Sequence, residues 1–196
     1  MITDGLHDLP AGKVAMVVTH LEMTAPAPLR GAPLAEGITF LEVIPDLAWY
    51  RDIFERVGSE WLWTSRLLLQ DKDLMAILGD PNVLLFTLSR DGRDEALLEL
   101  DFRQEGECEL AFFGLTSALI GTGAGGHLMD RAIEIAWSRP INRLHVHTCT
   151  IDSPQALAFY QRSGFSPYRR QIEIGDDPRL EGLLPEDAGP HYPLIR

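Results

Sequence analysis

The sequence predicts an α/β domain: a mixed, mostly antiparallel sheet flanked by helices, with an extra strand near the N-terminus. Three observations carry that reading. Apolar runs with turn-rich boundaries dominate the first half of the chain and read as strands. A glycine cluster at residues 121–126 then interrupts them and leads into a helical pattern. Behind it the order becomes strand, helix, strand, which adds parallel pairing to a sheet that begins antiparallel. At 196 residues the chain suits one domain, and such a domain buries roughly 70% of its unfolded surface without disulfide or metal staples.

Lys13 to Met23 (KVAMVVTHLEM) is rich in valine and bounded by Pro10–Gly12 and Pro26, as a strand should be. Pro26, Pro28, Gly31 and Pro33 then mark a linker. The chain is therefore divided into an N-terminal strand and Pro-rich linker over 1–35 and a main domain over 36–196. Ile38–Ile44 is the second strand. Asp46 opens a helix through Val57, with Tyr50, Ile53, Phe54 and Val57 on one face. A further helix spans Asp71–Leu78 and stops at Gly79, Asp80 and Pro81. Val83–Ser89, Ala96–Phe102 and Glu107–Leu115 form a meander through the turn residues Arg90–Asp94 and Gln104–Gly106. Leu128–Trp137 is helical, and Pro140 stops it. Leu144–Thr150 is a strand. Ser153 and Pro154 then suit the N-cap and first position of a helix through Gln161, with Gly164 as its terminator. A last strand covers Tyr168–Ile174, and the tail from Gly175 is polar and turn-rich.

Composition excludes several classes. With 45% hydrophobic and 23% charged residues the chain is globular, not disordered. A formal net charge of −12 speaks against a nucleic-acid partner, because neutralising phosphates takes clustered Lys and Arg. No stretch nears the ~20 apolar residues that span a bilayer, so no membrane partner is expected. Met1–Pro10 has neither a basic cluster nor an apolar core, so it does not read as a signal peptide. Cys108 and Cys149 sit singly in strand-like runs and read as reduced thiols, in keeping with a cytoplasmic location.

The chemistry begins at Gly121-Thr122-Gly123-Ala124-Gly125-Gly126, between a strand and a helix. Glycines let a backbone approach a ligand closely, and the helix start behind them presents unpaired N–H groups and a positive dipole end. That combination suits phosphate or pyrophosphate. The loop also satisfies G-x-G-x-x-G, but a dinucleotide site wants an acidic residue about 20 positions on. The nearest candidate, Asp152, lies well beyond that. No Lys-Ser/Thr follows, so the loop is not a P-loop. A tight turn without a ligand is the remaining reading.

Two stretches resemble motifs of the GNAT superfamily of acyl-CoA N-acyltransferases. Ile120–Met129 (IGTGAGGHLM) is similar to the family's Q/R-x-x-G-x-G/A cofactor loop. Ser153–Phe165 (SPQALAFYQRSGF) is similar to N-x-x-A-x-x-x-Y-x-x-x-G-F. The resemblance covers residues 38–174 and departs at Ile120 and Ser153, where the family carries Gln/Arg and Asn. It implies acetyl-CoA as co-substrate, cradled by Gly121, Thr122, Gly123, Ala124, Gly125 and Gly126 and assisted by Ser153. It further implies that the strand before the loop splays from its neighbour, freeing amides at Phe113, Gly114 and Leu115 for the pantetheine arm and thioester carbonyl.

Acyl transfer to an amine needs a base for the amine, an oxyanion site and an acid for the leaving thiolate. By periodicity alone Tyr160 reads as a half-buried core tyrosine; the resemblance reverses that reading and implies that it is the acid. Glu109, eleven positions before Ile120, is the expected base, matching the glutamate of some histone-acetylating relatives. On an apolar strand it should be desolvated, with a raised pKa if it faces inward. Strand alternation puts Glu107 and Glu109 on one face with Ala111 and Phe113, so Glu107 remains an alternative, as do His147 and a water. His145, His147 and Asp152 invite a metal reading, but two histidines at i, i+2 lack a third convergent ligand, and no metal is expected.

The resemblance implies an acceptor amine on a small molecule or a protein. Trp49, Tyr50, Phe54, Trp61 and Trp63 make the Asp46–Leu69 region aromatic, as either a wall of that site or a core stripe. Two other functions stay open: a non-catalytic CoA-binding sensor and a dinucleotide-binding enzyme. The strand at 13–23 is expected to extend the sheet or contribute to a homodimer.

Overall fold

The computed structural model describes residues 3–196; Met1 and Ile2, part of the stretch read as lacking a signal peptide, lie outside the described residues. Among the described residues eight strands make one sheet: β1 (Lys13–Met23), β2 (Ile38–Val43), β3 (Val83–Arg90), β4 (Arg93–Asp94), β5 (Ala96–Asp101), β6 (Glu107–Leu115), β7 (Arg143–Cys149) and β8 (Ser166–Asp176). The helices are α1 (Leu47–Gly58), α2 (Asp71–Leu78), α3 (Ala124–Trp137) and α4 (Ala156–Arg162). The strand order is β2-β3-β5-β6-β7-β1-β8, with the short β4 beside β3. Every pairing is antiparallel except β6 with β7. This is the mixed, mostly antiparallel sheet the sequence predicts. No helix among the described residues is long and apolar enough to cross a membrane.

Helices cover both faces, each for a readable reason. The Asp46 side chain accepts from Trp49 N at 2.8 Å and caps α1, which buries Tyr50, Ile53, Phe54 and Val57. With Leu74 and Leu78 of α2 these pack on Leu85, Leu97 and Phe112 of the sheet. On the other face α3 buries Leu128, Met129, Ala132 and Ala136 against Leu98, Leu110, Leu144 and Val146. Each large apolar side chain buried this way contributes about 1.5–3 kcal/mol. The α1 layer also encloses Glu99, which accepts hydrogen bonds from the Tyr50 hydroxyl and the Arg66 guanidinium.

The N-terminal strand is not an edge. β1 lies between β7 and β8 and pairs antiparallel with both, His20 facing His147 on one side and Arg169 on the other. It does extend the sheet, by insertion, which a local reading of residues 13–23 has no means to foresee. The linker behind it is equally built in. Asp130 of α3 accepts from the backbone N–H groups of Arg30, Gly31 and Ala32 at 2.8–3.3 Å.

Two local expectations need correction. The register of β5 with β6 shifts between Glu99 and Leu100, whose partners are Phe112 and Leu110, so Ala111 is a bulge residue. Alternation therefore breaks there. Phe113 faces the α3 side with Leu110, Phe112 packs under α1, and Glu109 does not share a face with Phe113. The second correction concerns Ser153. It does not cap α4, which starts at Ala156; Ser153 and Pro154 instead occupy a turn closed by Ala156 N to Ser153 O at 2.8 Å. Serine at the first and proline at the second position suit such a turn as well as they suit a cap. The tail beyond β8 is turn-rich yet packed: Arg179 binds both carboxylate oxygens of Asp177 and the carbonyls of Ala188 and Tyr192.

Candidate active site

β6 and β7 pair only from Glu107–Arg143 to Glu109–His145. Past that point β6 keeps only β5 and β7 keeps only β1, so the sheet opens as a wedge between two strand edges. A cleft of ≈ 570 Å³ fills the wedge, within the usual size of small-ligand sites.

One wall is the glycine loop. Gly121 and Gly123 have φ of +81° and +84°, and a Cβ added to either would meet nothing within 4 Å. Glycine is thus demanded by the backbone conformation, and the space before it is open. The N–H groups of Gly121, Gly123 and Gly125 have no acceptor among the described residues, and all three residues line the cleft. Such a set of amides at the start of α3 is what a phosphate group requires. Thr122 instead ties the loop to itself, its hydroxyl donating to Leu119 O at 2.8 Å and accepting from Ala124 N at 3.3 Å. Gly126 admits the linker, its added Cβ falling 3.3 Å from Ala32 Cβ. Every residue expected to contact the cofactor lines the cleft except Thr122, Ala124 and Gly126.

Tyr160 reaches the cleft from α4 and is only 7% exposed, packed among Phe113, Phe159 and Phe165. Its hydroxyl has no hydrogen-bond partner among the described residues. Burial, with the charge of Asp152 behind it, pushes its pKa up, so the proton stays on at neutral pH. The tyrosine is both a core residue and a cleft residue.

Glu109 sits on the last paired step before the strands part, and His147, not Glu109, lines the cleft. Their side chains are coupled, His147 Nδ1 lying 3.6 Å from Glu109 Oε1. This contact with His147 holds the Glu109 carboxyl below its ordinary value, and it raises His147 above its ordinary value in turn. The expected upward shift of Glu109 is therefore reversed, because its histidine partner outweighs its burial. Glu107 is engaged elsewhere, with Arg143 at 3.3 Å and His145 at 3.4 Å.

The opposite wall comes from segments far apart in sequence. Trp63, in the loop after α1, donates its indole N–H to Asp152 Oδ1 at 2.9 Å. Asp152 Oδ2 accepts from Thr148 Oγ1 and Cys149 N, each at 2.8 Å. Asp152 is thereby a clasp between the end of β7 and the Trp63 loop, with both its oxygens engaged. Val14, Met16 and Val18 of β1 and Glu173 of β8 complete this wall. The aromatic richness near Trp63 signals it in the sequence; nothing there marks Asp152 as its clasp or β1 as part of it. Cys149 also lines the cleft, but burial pushes its thiol up to about 11, so little thiolate exists to act as a nucleophile.

Comparison with known proteins agrees with this architecture. The profile of the Acetyltransferase (GNAT) family matches residues 47–165. Mycothiol acetyltransferase of Jonesia denitrificans is 34% identical over 77 residues, 36% of this chain and 24% of that protein. A GCN5-related N-acetyltransferase from Sphaerobacter thermophilus superposes with a TM-score of 0.63 at 17% identity, covering 83% of this chain and 52% of that one. A GNAT family acetyltransferase from Elizabethkingia anophelis with acetyl-CoA bound has a TM-score of 0.52 at 16% identity, over 69% of this chain and 80% of that one. The chain thus spans about a quarter of the first relative's length and half of the second's, and the structural likenesses are of fold. On its matched residues, the chain belongs to the Acetyltransferase (GNAT) family.

Proposed function

We propose that the protein transfers an acetyl group from acetyl-CoA to an amine by direct attack in a ternary complex. One observation carries the reading. The acceptor-free amides of Gly121, Gly123 and Gly125 and the proton-bearing hydroxyl of Tyr160 line one cleft, where β6 parts from β7. Acetyl-CoA supplies an acetyl group activated as a thioester. Its pyrophosphate fits the glycine amides, and with Ile120 in place of a polar residue the grip rests on backbone donors. The unpaired edge of β6 at Phe113–Leu115 lies along the path to Tyr160 and offers main-chain N–H groups to a carbonyl oxygen.

His147 takes the amine proton. It faces the cleft, and Glu109 orients its ring and raises its basicity, so Glu109 acts through His147. Tyr160 holds the proton that the departing sulfur needs. The high thiol pKa of Cys149 favours direct attack over an acyl-enzyme. Trp61, Trp63 and Glu173 fit an amine carrying positive charge before it is deprotonated, on a small molecule or a protein chain. A cytoplasmic setting, where acetyl-CoA and reduced thiols coexist, completes the reading.

CoA release from acetyl-CoA with a panel of primary amines tests the reading, for the wild type and Tyr160→Phe. Acetylation of at least one amine, with intersecting initial-rate lines and loss in the variant, is expected. Parallel lines would point to an acyl-enzyme. Acetyl-CoA binding without turnover of any amine would make the protein a sensor.

A further inference from the structure

The two edges of the sheet differ. β2 is six residues long and is followed closely by Pro45. β8 is eleven residues long and pairs with β1 on one side only. From Arg169–His20 to Asp176–Lys13 this pairing runs without interruption, so the outer edge of β8 is a regular row of unpaired backbone groups. A proline and the register irregularity blunt it only at its start, near Pro167. Such an edge is a template for another strand.

The side chains on β8 say which strand. Ile172 pairs with Val17 and Ile174 with Ala15, so these share the sheet face over which α4 carries Leu157. Val17, Leu157, Ile172 and Ile174 are 39%, 39%, 50% and 60% exposed and form an uncovered apolar strip beside the edge. The charges are arranged end to end: Arg169 and Arg170 near the start, Glu173 and Asp176 near the finish.

We propose that β8 pairs antiparallel with β8 of a second copy of this chain, about a two-fold axis at Gln171. In an antiparallel pair, opposed residues share a face, so a two-fold perpendicular to the sheet centres on a residue and not on a gap. Centring on Gln171 opposes Arg169 with Glu173 of the other copy, twice by symmetry, and Arg170 with Ile172. Moving the axis by one residue toward Ile172 opposes Gln171 with Glu173, and moving it toward Arg170 opposes Arg169 with Gln171. An axis at Glu173 would oppose Arg170 with Asp176, but Asp176 is already held by Lys13 and the two copies' Glu173 would face each other, so the Gln171 axis is the one that pairs opposite charges without opposing like ones. The backbone ladder and the apolar strip hold the pair, and the charges choose its register, because each exposed ion pair is worth little by itself. Since Glu173 also lines the cleft, the interface runs along its outer rim.

Sedimentation equilibrium of the full chain tests this, with circular dichroism and thermal melting as controls for folding. The wild type should sediment at twice the 21.9 kDa chain mass. Glu173→Arg, which opposes two arginines at both symmetric contacts, and Ile172→Asp, which interrupts the apolar strip, should each give folded monomers. Exchanging the charges in Arg169→Glu/Glu173→Arg should restore the dimer. A monomeric wild type overturns the proposal. So does a dimer that survives both single variants, which would place the contact elsewhere, or a charge-exchanged chain that stays monomeric.

Discussion

The two walls of the cleft are built in opposite ways. The glycine-loop wall comes from consecutive residues and presents backbone N–H groups. The facing wall is made of side chains gathered from β1, the loop after α1, the end of β7 and β8. Its shape depends on tertiary fastenings such as the Asp152 clasp on Trp63. A backbone cradle recognises a group common to many reactions, whereas a wall of scattered side chains can change acceptor without disturbing that cradle. The first wall should therefore tolerate least, and damage there should appear in cofactor binding and in kcat. Damage to the second should appear in the acceptor KM.

The largest effect is expected where the walls meet. Tyr160→Phe removes the proposed acid and keeps the aromatic packing, so kcat should fall about 10²–10⁴-fold while acetyl-CoA binding, read by calorimetry, stays near the wild type. Next is Gly123→Val. Forcing a side chain into the left-handed region costs about 1–2 kcal/mol or distorts the loop, so acetyl-CoA should bind about 5–30-fold more weakly with the acceptor KM little changed.

On the other wall, Trp63→Ala and Asp152→Ala should each raise the acceptor KM and leave the acetyl-CoA KM alone. Because the two side chains share one hydrogen bond, the double variant should be less impaired than the sum, by about 0.5–3 kcal/mol. Additive effects would mean that Asp152 does not act through Trp63.

The smallest effect concerns pH. If His147 is the base it must be neutral, so kcat/KM should rise as pH climbs through its folded pKa, which Glu109 displaces above 6.5. Glu109→Gln removes the charge that favours the protonated ring. His147 then loses its proton more easily, and the rising limb should move to lower pH with most activity kept. Abolished activity, with no shifted limb, would make Glu109 itself the base.

The same contrast governs what the sequence reveals. The glycine loop, the Asp46 cap, α2 and the limits of β1 and β6 are legible because each is set by residues adjacent in the chain. Tyr160 is legible for the same reason, through its motif neighbours. What is not legible depends on pairing partners. The bulge at Ala111 arises from the register of β6 against β5, and it turns Phe113 away from the face that alternation assigns it. The pKa of Glu109 depends on a histidine from the neighbouring strand, 38 positions along the chain. The insertion of β1 between β7 and β8 joins residues more than 120 positions apart, and no local pattern encodes it.

The central claim is that the acceptor-free amides of Gly121, Gly123 and Gly125 hold the pyrophosphate of acetyl-CoA. Thermal unfolding of the purified protein with graded acetyl-CoA, CoA, NAD and ATP tests it most directly. A ligand that binds only the folded state stabilises it by about 2.7 kcal/mol at 100-fold over Kd, which for a chain of this size is several degrees. Acetyl-CoA and CoA should raise the midpoint in proportion to the logarithm of concentration, NAD should not, and Gly123→Val should lose most of the rise. A shift with NAD alone, or none with acetyl-CoA, would contradict the claim.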